Sequence, residues 1–292
     1  EVTNNNGKIF ALDENSKKLG YLKDEIPMLM PNEARDFNRI LSSQDSGNNA
    51  LMLRQVAINA PPESYSKLSN QVFKTDASAG IAMSIAKDDV EVTEKILAGK
   101  NLLTPGQKGA LDSKSILRAS SKDISSSFDA YVGSAISDEN LRVKIKDAAF
   151  SYYAKTKFDE GDNLEALDTK DYQTSIEKII GPIAKVNDKK VISFRDDNGK
   201  FVDSDELENA FENLDYETLR KVHKDVPRLA NKEELNIKKT KDRINPIAVG
   251  DGRYILKRDD EILLNKDGKP YELNMKKYIT EYRKKPKQTF FE

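Results

Sequence analysis

The stretch Ser137–Gly161, SDENLRVKIKDAAFSYYAKTKFDEG, decides the fold, because the segments before it read as helices and the strand signals come after it. Leu141, Ile145, Ala148 and Tyr152 recur at the helical period and form one apolar stripe, which Ala149 and Phe150 widen. Ser137 is placed to cap the first turn, Asp138 and Glu139 lie at the positive end of the helix dipole, and Lys155 and Lys157 lie near its negative end. Gly161 is the natural stop. The spacing predicts a helix of about six turns, a packing post between two halves of the chain. No catalytic residue is evident in it.

Working outward towards the N-terminus, apolar residues again fall at helical intervals, but in shorter pieces. Residues 1–30 read as an extended N-terminal arm, closed by Pro27 and Pro31. Asn32 is placed to cap a helix carrying Ala34, Phe37, Ile40 and Leu41; SQDSGNN is a turn; a second helix runs from Ala50 to Ala60 and stops at Pro61 and Pro62. A third follows through Tyr65, Leu68, Val72 and Phe73, then two short ones, DASAGIAMSIA and VEVTEKILA, the latter ending at Gly99. Pro105, Gly106 and Gly109 mark a loop, Ser113–Ser120 a short helix, and one of Ser125, Ser126 and Ser127 caps a helix through Phe128, Tyr131, Val132 and Ile136. Such short helices need neighbours to bury their stripes, which predicts an array.

Past Gly161 the chain changes character. Tyr172–Ile180 is one more helix, after which the apolar period becomes two: KVISFR, a DDNG turn and Lys200–Asp203 read as a hairpin. Asp203 and Glu206 have capping-box spacing ahead of a helix carrying Leu207, Ala210, Phe211 and Leu214, and helix and linker alternate to about Asn245. GDGRYILKRDDEILLNKDGKPYELNM is a three-stranded meander of Tyr254–Lys257, Glu261–Asn265 and Tyr271–Asn274, followed by a basic terminal helix over Met275–Lys285. The expected fold is therefore mainly α: an arm (1–30), a helical array (31–160) and a smaller α+β region (161–292) with a short antiparallel meander at 252–275.

Composition narrows the chemistry. The 292 residues are 37% apolar and 33% charged, with 48 Lys and Arg against 49 Asp and Glu, a balance that argues against a general polyanion binder. From Asp215 onward there are 20 basic and 14 acidic residues, a mild positive bias that reads as a solvated surface. Without cysteine, disulfides, thiolate metal sites and cysteine nucleophiles are excluded. His223 is the only histidine, so histidine metal clusters are excluded within one chain, and its charged setting LRKVHKDVP favours a solvated helix end over catalysis. No run approaches the roughly 20 apolar residues that span a bilayer. The start at Glu1 rather than Met, within EVTNNNGK, predicts a piece of a longer polypeptide.

Two segments imitate functional motifs. In FRDDNGKFVDSD, Asp196, Asn198 and Gly199 match the third, fifth and sixth positions of a calcium loop, but Phe194 at the first offers no oxygen and Asp205 at the twelfth is short for bidentate closure. A hairpin with a capped helix explains the same letters. Glu63-Ser64, followed by Gly80-Ile81-Ala82-Met83, is loosely similar to lytic transglycosylases, in which such a glutamate is the general acid; Ser84 stands where that family carries glutamine. Tyr152 and Tyr153 read as packing rather than stacking platforms.

In order, DASAGIAMSIAKDDVEVTEKILAGKNLL, SSSFDAYVGSAISDENLRVKIKDAAFSYYAKTKFDEG, SIEKIIGPIAKVNDKKVISF and GDGRYILKRDDEILLNKDGKPYELNM resemble the C-terminal part of large minor structural proteins of tailed bacteriophages and prophages, described as internal virion or tape-measure-like proteins. The resemblance spans roughly residues 75–280. It implies a non-enzymatic virion module, made in the bacterial host cytoplasm and packed against other virion proteins, with weak DNA contact through the basic C-terminal helix as a further expectation. No catalytic, cofactor-binding or metal-ligating residue is assigned, and no small-molecule substrate is evident. The alternatives are a peptidoglycan-cleaving enzyme using Glu63 and a cellular helical scaffold.

Overall fold

The computed structural model describes residues 27–104, 121–162, 164, 166–214, 216–222, 244–250, 252–259, 261–265 and 267–284. Among these lie eleven α-helices and six strands, a mainly helical fold followed by a small antiparallel sheet region. The chain forms two compact units: one runs up to Tyr131 and resumes over Asp138–Ile179, and the other joins Val132–Ser137 to the residues from Ile180 onward. The boundary thus falls at Ile180 rather than at 161. Most of the N-terminal arm, the loop beyond Thr104, the helix expected at Ser113–Ser120 and His223 lie outside the described residues.

In the helical unit, local side chains fix where helices begin. Helix α1 (Pro31–Leu41) starts one residue before the expected Asn32 cap, with Pro31 at its first position and the Glu33 carboxylate accepting from the Met30 N–H at 2.8 Å. Helix α2 (Ser46–Asn59) absorbs the expected turn SGNN, because Asp45 accepts from the Asn48 N–H. Helices α3 (Pro62–Thr75), α4 (Ala77–Ile85) and α5 (Val90–Leu103) follow, the last two capped by Asp76 and Asp89 at 3.0 Å each. Helix α6 (Ser121–Val132) begins before the expected serine caps, and α7 (Glu139–Asp159) is capped by Asp138, whose carboxylate accepts from Leu141 N–H at 2.9 Å, instead of by Ser137.

The 21-residue α7 is the post around which this unit packs. Ile145, Ala148, Ala149 and all of Ser151–Ala154 are buried, while Leu141 at the helix start is exposed, so the predicted stripe widens into an enclosed middle. The helix belongs to the helical unit. Its closest neighbour is α5, and the reason is Gly99: a Cβ there would lie 1.7 Å from the Ser151 carbonyl oxygen. The glycine expected to end α5 instead lies inside it and lets the two backbones touch. On another side, Tyr153 and Tyr172 meet edge to face at 5.8 Å, which brings α8 (Thr169–Ile180) into the helical unit. The Tyr153 hydroxyl also accepts from the Asp168 N–H at 2.9 Å, satisfying a donor at the start of α8.

The second unit is built on hairpins. Strands β1 (Ile183–Val186) and β2 (Lys189–Ile192) pair antiparallel around Asn187-Asp188, both at positive φ, so the first hairpin turns here rather than at DDNG. DDNG makes a second, smaller hairpin closed by the Arg195–Phe201 bridge. Helices α9 (Ser204–Glu212) and α10 (Tyr216–Val222) follow. Strand β3 (Ile244–Gly250), which begins at the end of the expected helix-and-linker region and runs through residues given no element, then pairs with β4 (Arg253–Arg258), and the other edge of β4 is shared by β5 (Glu261–Ile262) and β6 (Glu272–Asn274). The expected three-stranded meander is a four-stranded sheet. Helix α11 (Met275–Arg283) closes the unit, whose core gathers Val191, Phe194, Leu207, Phe211, Tyr254, Leu256, Leu273 and Tyr278.

One device occurs twice. In Asp196–Lys200 and again in Asn265–Lys269, the first residue's N–H donates to the fifth residue's carbonyl, its side-chain oxygen accepts from the third and fifth N–H groups, and the fourth residue is glycine at φ +75°. Each loop is pinched off by one bridge, Arg195–Phe201 or Leu264–Pro270, and each is followed by a capped nine-residue helix. Hairpin, pinched turn and helix recur with different letters, which is why the repeat is hard to see in sequence.

Candidate functional site

Side chains that invite a chemical reading are mostly committed to structure. Glu63 lies exposed in the first turn of α3, an acidic residue at the positive end of a helix, not on an apolar floor. Its neighbour Ser64 is fully buried. The Gly80–Met83 element belongs to α4 and is buried: a Cβ on Gly80 would lie 2.5 Å from the Phe73 Cα, and the Met83 carbonyl accepts from the Tyr65 hydroxyl at 2.6 Å. Burial holds the Tyr65 phenol well above its ordinary range. The transglycosylase-like letters therefore form a packed α3–α4 corner.

The calcium-like loop is the first pinched turn. Burial opposes ionisation of Asp196, but the amides of Lys200 and Asn198 and the nearby Arg283 outweigh it and hold the carboxyl below the usual range. Phe194 is buried in the core and Asp205 lies in the first turn of α9. Asp203 caps that helix by accepting from Asp205 N–H at 2.9 Å, whereas Glu206 does not complete the expected box; its carboxylate takes both Nε (2.7 Å) and a terminal nitrogen (2.8 Å) of Arg283. No group of three acidic or histidine side chains able to hold a metal occurs among the described residues.

The same contacts redefine the basic terminal helix. Arg283 pairs with Glu206 and, at 3.7 Å, with Asp196; Lys276 pairs with Asp197 at 3.1 Å; Lys284 pairs with Glu281 at 2.5 Å. The Glu206 bond is the main reason the Arg283 guanidinium is held above even its usual range. These charges tie α11 to the pinched turn and to α9. A cleft of about 530 Å³ beside α11 is lined by both signs, Asp197 and Glu281 among Lys221, Lys276 and Lys277. Tyr152 and Tyr153 are core residues, as their setting suggested.

What remains unspent is apolar. On the face of the four-stranded sheet opposite the core, Ile247 and Val249 of β3, Ile262 of β5 and the adjoining Leu264 are each 40–48% exposed. Register places Ile247 beside the half-buried Ile255 and Ile262 beside Lys257, so the aliphatic side chains share this face with Lys257 and with the Arg253–Glu272 ion pair. The run EILL carried part of this signal, since Ile262 and Leu264 stand on one face and Leu263 on the other. No helix among the described residues is long and apolar enough to cross a membrane. No protein-family model matches this chain, and neither does any curated protein or solved structure.

Proposed function

We propose that the protein is a non-enzymatic structural module of a bacteriophage or prophage virion protein, acting by packing against other particle proteins. The phage assignment is supported by the resemblance of the four segments quoted above. The observation that carries the packing role is the outward aliphatic row of the sheet, since adjacent exposed aliphatic side chains on one face mark an interaction surface. Asp196 and Asp203, which fall in the calcium-like letters, are committed to a pinched turn and a helix cap, and Asp197 to an ion pair with Lys276. DNA contact is a minor part of this role, because Lys276, Arg283 and Lys284 already face carboxylates. The module is made in the host cytoplasm and carried in the particle.

Mass spectrometry of purified particles, induced from the source cells, tests the reading. Peptides such as VISFR (191–195) and YILK (254–257) are expected within a longer virion polypeptide. Their absence from particles, with the protein present in cell extract, overturns it.

A further inference from the structure

The repeat in the second unit bears on what could occupy the sheet face that the described residues leave exposed. Aligning the two hairpins at their turns sets β1–β2 against β4–β5: the closing pair Val186–Lys189 corresponds to Arg258–Glu261, and the next pair Lys185–Lys190 to Lys257–Ile262. Lys190 and Ile192 flank core-facing Val191 as Ile262 and Leu264 flank core-facing Leu263. In the first hairpin the β2 side of this outer face is covered, while Lys185 on β1 stays exposed. The 3₁₀ turn Gly133–Ala135, within the Val132–Ser137 segment of the same unit, packs on β2. The approach is close enough that a Cβ on Gly133 would lie 2.8 Å from Lys190 Cδ. The aliphatic residues on either side of the turn, Val132 and Ile136, are buried, and Lys190 and Ile192 are half-buried. At the corresponding positions of the second hairpin, Ile262 and Leu264 are 42% and 48% exposed, with Ile247 and Val249 extending the row.

We infer that the outer face of the second hairpin is the docking site for a strap of the same kind, supplied by a different protein and not by a second copy of this chain: a short turn of helix with an aliphatic residue at each end, four positions apart, and small uncharged residues between. The first hairpin shows the chemistry that fits, V-G-S-A-I, whose small middle allows backbone to approach the strand. The second hairpin has an isoleucine where the first has Lys190, so its face is more apolar. The inference deepens the packing role and rests on it only for the existence of a partner.

The probe is a synthetic peptide of residues 129–138, titrated into the isotope-labelled full chain and followed by amide shifts. Saturable shifts are expected at Ile247, Ile255, Ile262 and Leu264. In Ile262→Lys or Leu264→Lys, both at exposed positions and checked for unchanged melting, affinity is expected to fall about tenfold, since a lysine would have to be desolvated in the interface. The inference is overturned by absence of shifts at millimolar peptide, by shifts confined to β1–β2, or by equal binding in the variants. It is also overturned if the wild-type chain self-associates and both variants abolish that, which would make a second copy the occupant. None of these results depends on whether the chain is found in particles, so a failure here is separable from a failure of the phage reading.

Discussion

Gly99 is the residue whose side chain matters by being absent. An alanine there would drive its Cβ into the Ser151 carbonyl, and because that atom is helix backbone rather than a mobile side-chain tip, α5 and α7 would have to separate. Gly99→Ala should therefore cost about 3 kcal/mol in urea unfolding, although alanine is the better helix former. Lys157 makes an opposite point. It is 7% exposed yet ionised, hydrogen-bonded first to Asp171 and then to Glu160, which keeps its ammonium protonated beyond the ordinary lysine range. Burial likewise pushes the phenols of Tyr172, Tyr254 and Tyr271 upward from their ordinary value of 10.0. In every case the folded chain holds a proton that the unfolded chain gives up near pH 10, so this stabilisation is complete below that pH and is lost as pH rises. Melting temperature should fall steeply above about pH 10, and the part of the tyrosinate absorbance that belongs to these buried phenols should appear together with unfolding.

At the scale of elements, what was legible in the sequence was whatever rests on local chemistry. Helical stripes at Phe37–Leu41 and Leu207–Phe211, and strands at Tyr254–Lys257 and Glu272–Asn274, stand where periodicity placed them, with the expected Leu214 and Tyr271 just outside their elements. The misplaced features were decided by distant partners. Gly99 reads as a stop until α7 lies against it, and Glu206 reads as half of a capping box until Arg283 arrives from 77 residues away. Strand β3 was missed because Pro246 breaks the pattern, a residue an edge strand tolerates. The aliphatic row was visible as letters but not as a surface, since its exposure depends on what fails to cover it. The pinched turns give a prediction at this scale. Both glycines sit at φ +75° with open space around the missing Cβ, so Gly199→Ala and Gly268→Ala should each cost about 1 kcal/mol, and by similar amounts. Asp196→Ala should cost more than Asn265→Ala, because Asp196 also faces Arg283. Paired thermal denaturation measurements would show the ordering.

For the whole molecule, each of the two units has buried side chains of its own, which predicts separate stability. The second has its own contiguous core, from Ala184 to Ile279, while Leu53, Ile96 and Leu97 are buried within the first. Ile96→Ala, a fully buried position, should remove about 3 kcal/mol from the helical unit and leave hydrogen-exchange protection of Tyr254 and Leu256 unchanged. Equal loss of protection in both units would show that they unfold as one. The pinched turns also govern how the protein ages. Their third and fourth residues are Asn198-Gly199 and Asp267-Gly268, the two dipeptides most prone to succinimide formation, in which the glycine nitrogen attacks the preceding side chain. In the folded turns those nitrogens donate to the Asp196 and Asn265 carbonyls, at 3.0 and 3.1 Å, and are turned away from that attack. Isoaspartate at either position would then be a chemical record of time spent with the turn open, written permanently into molecules that later refold.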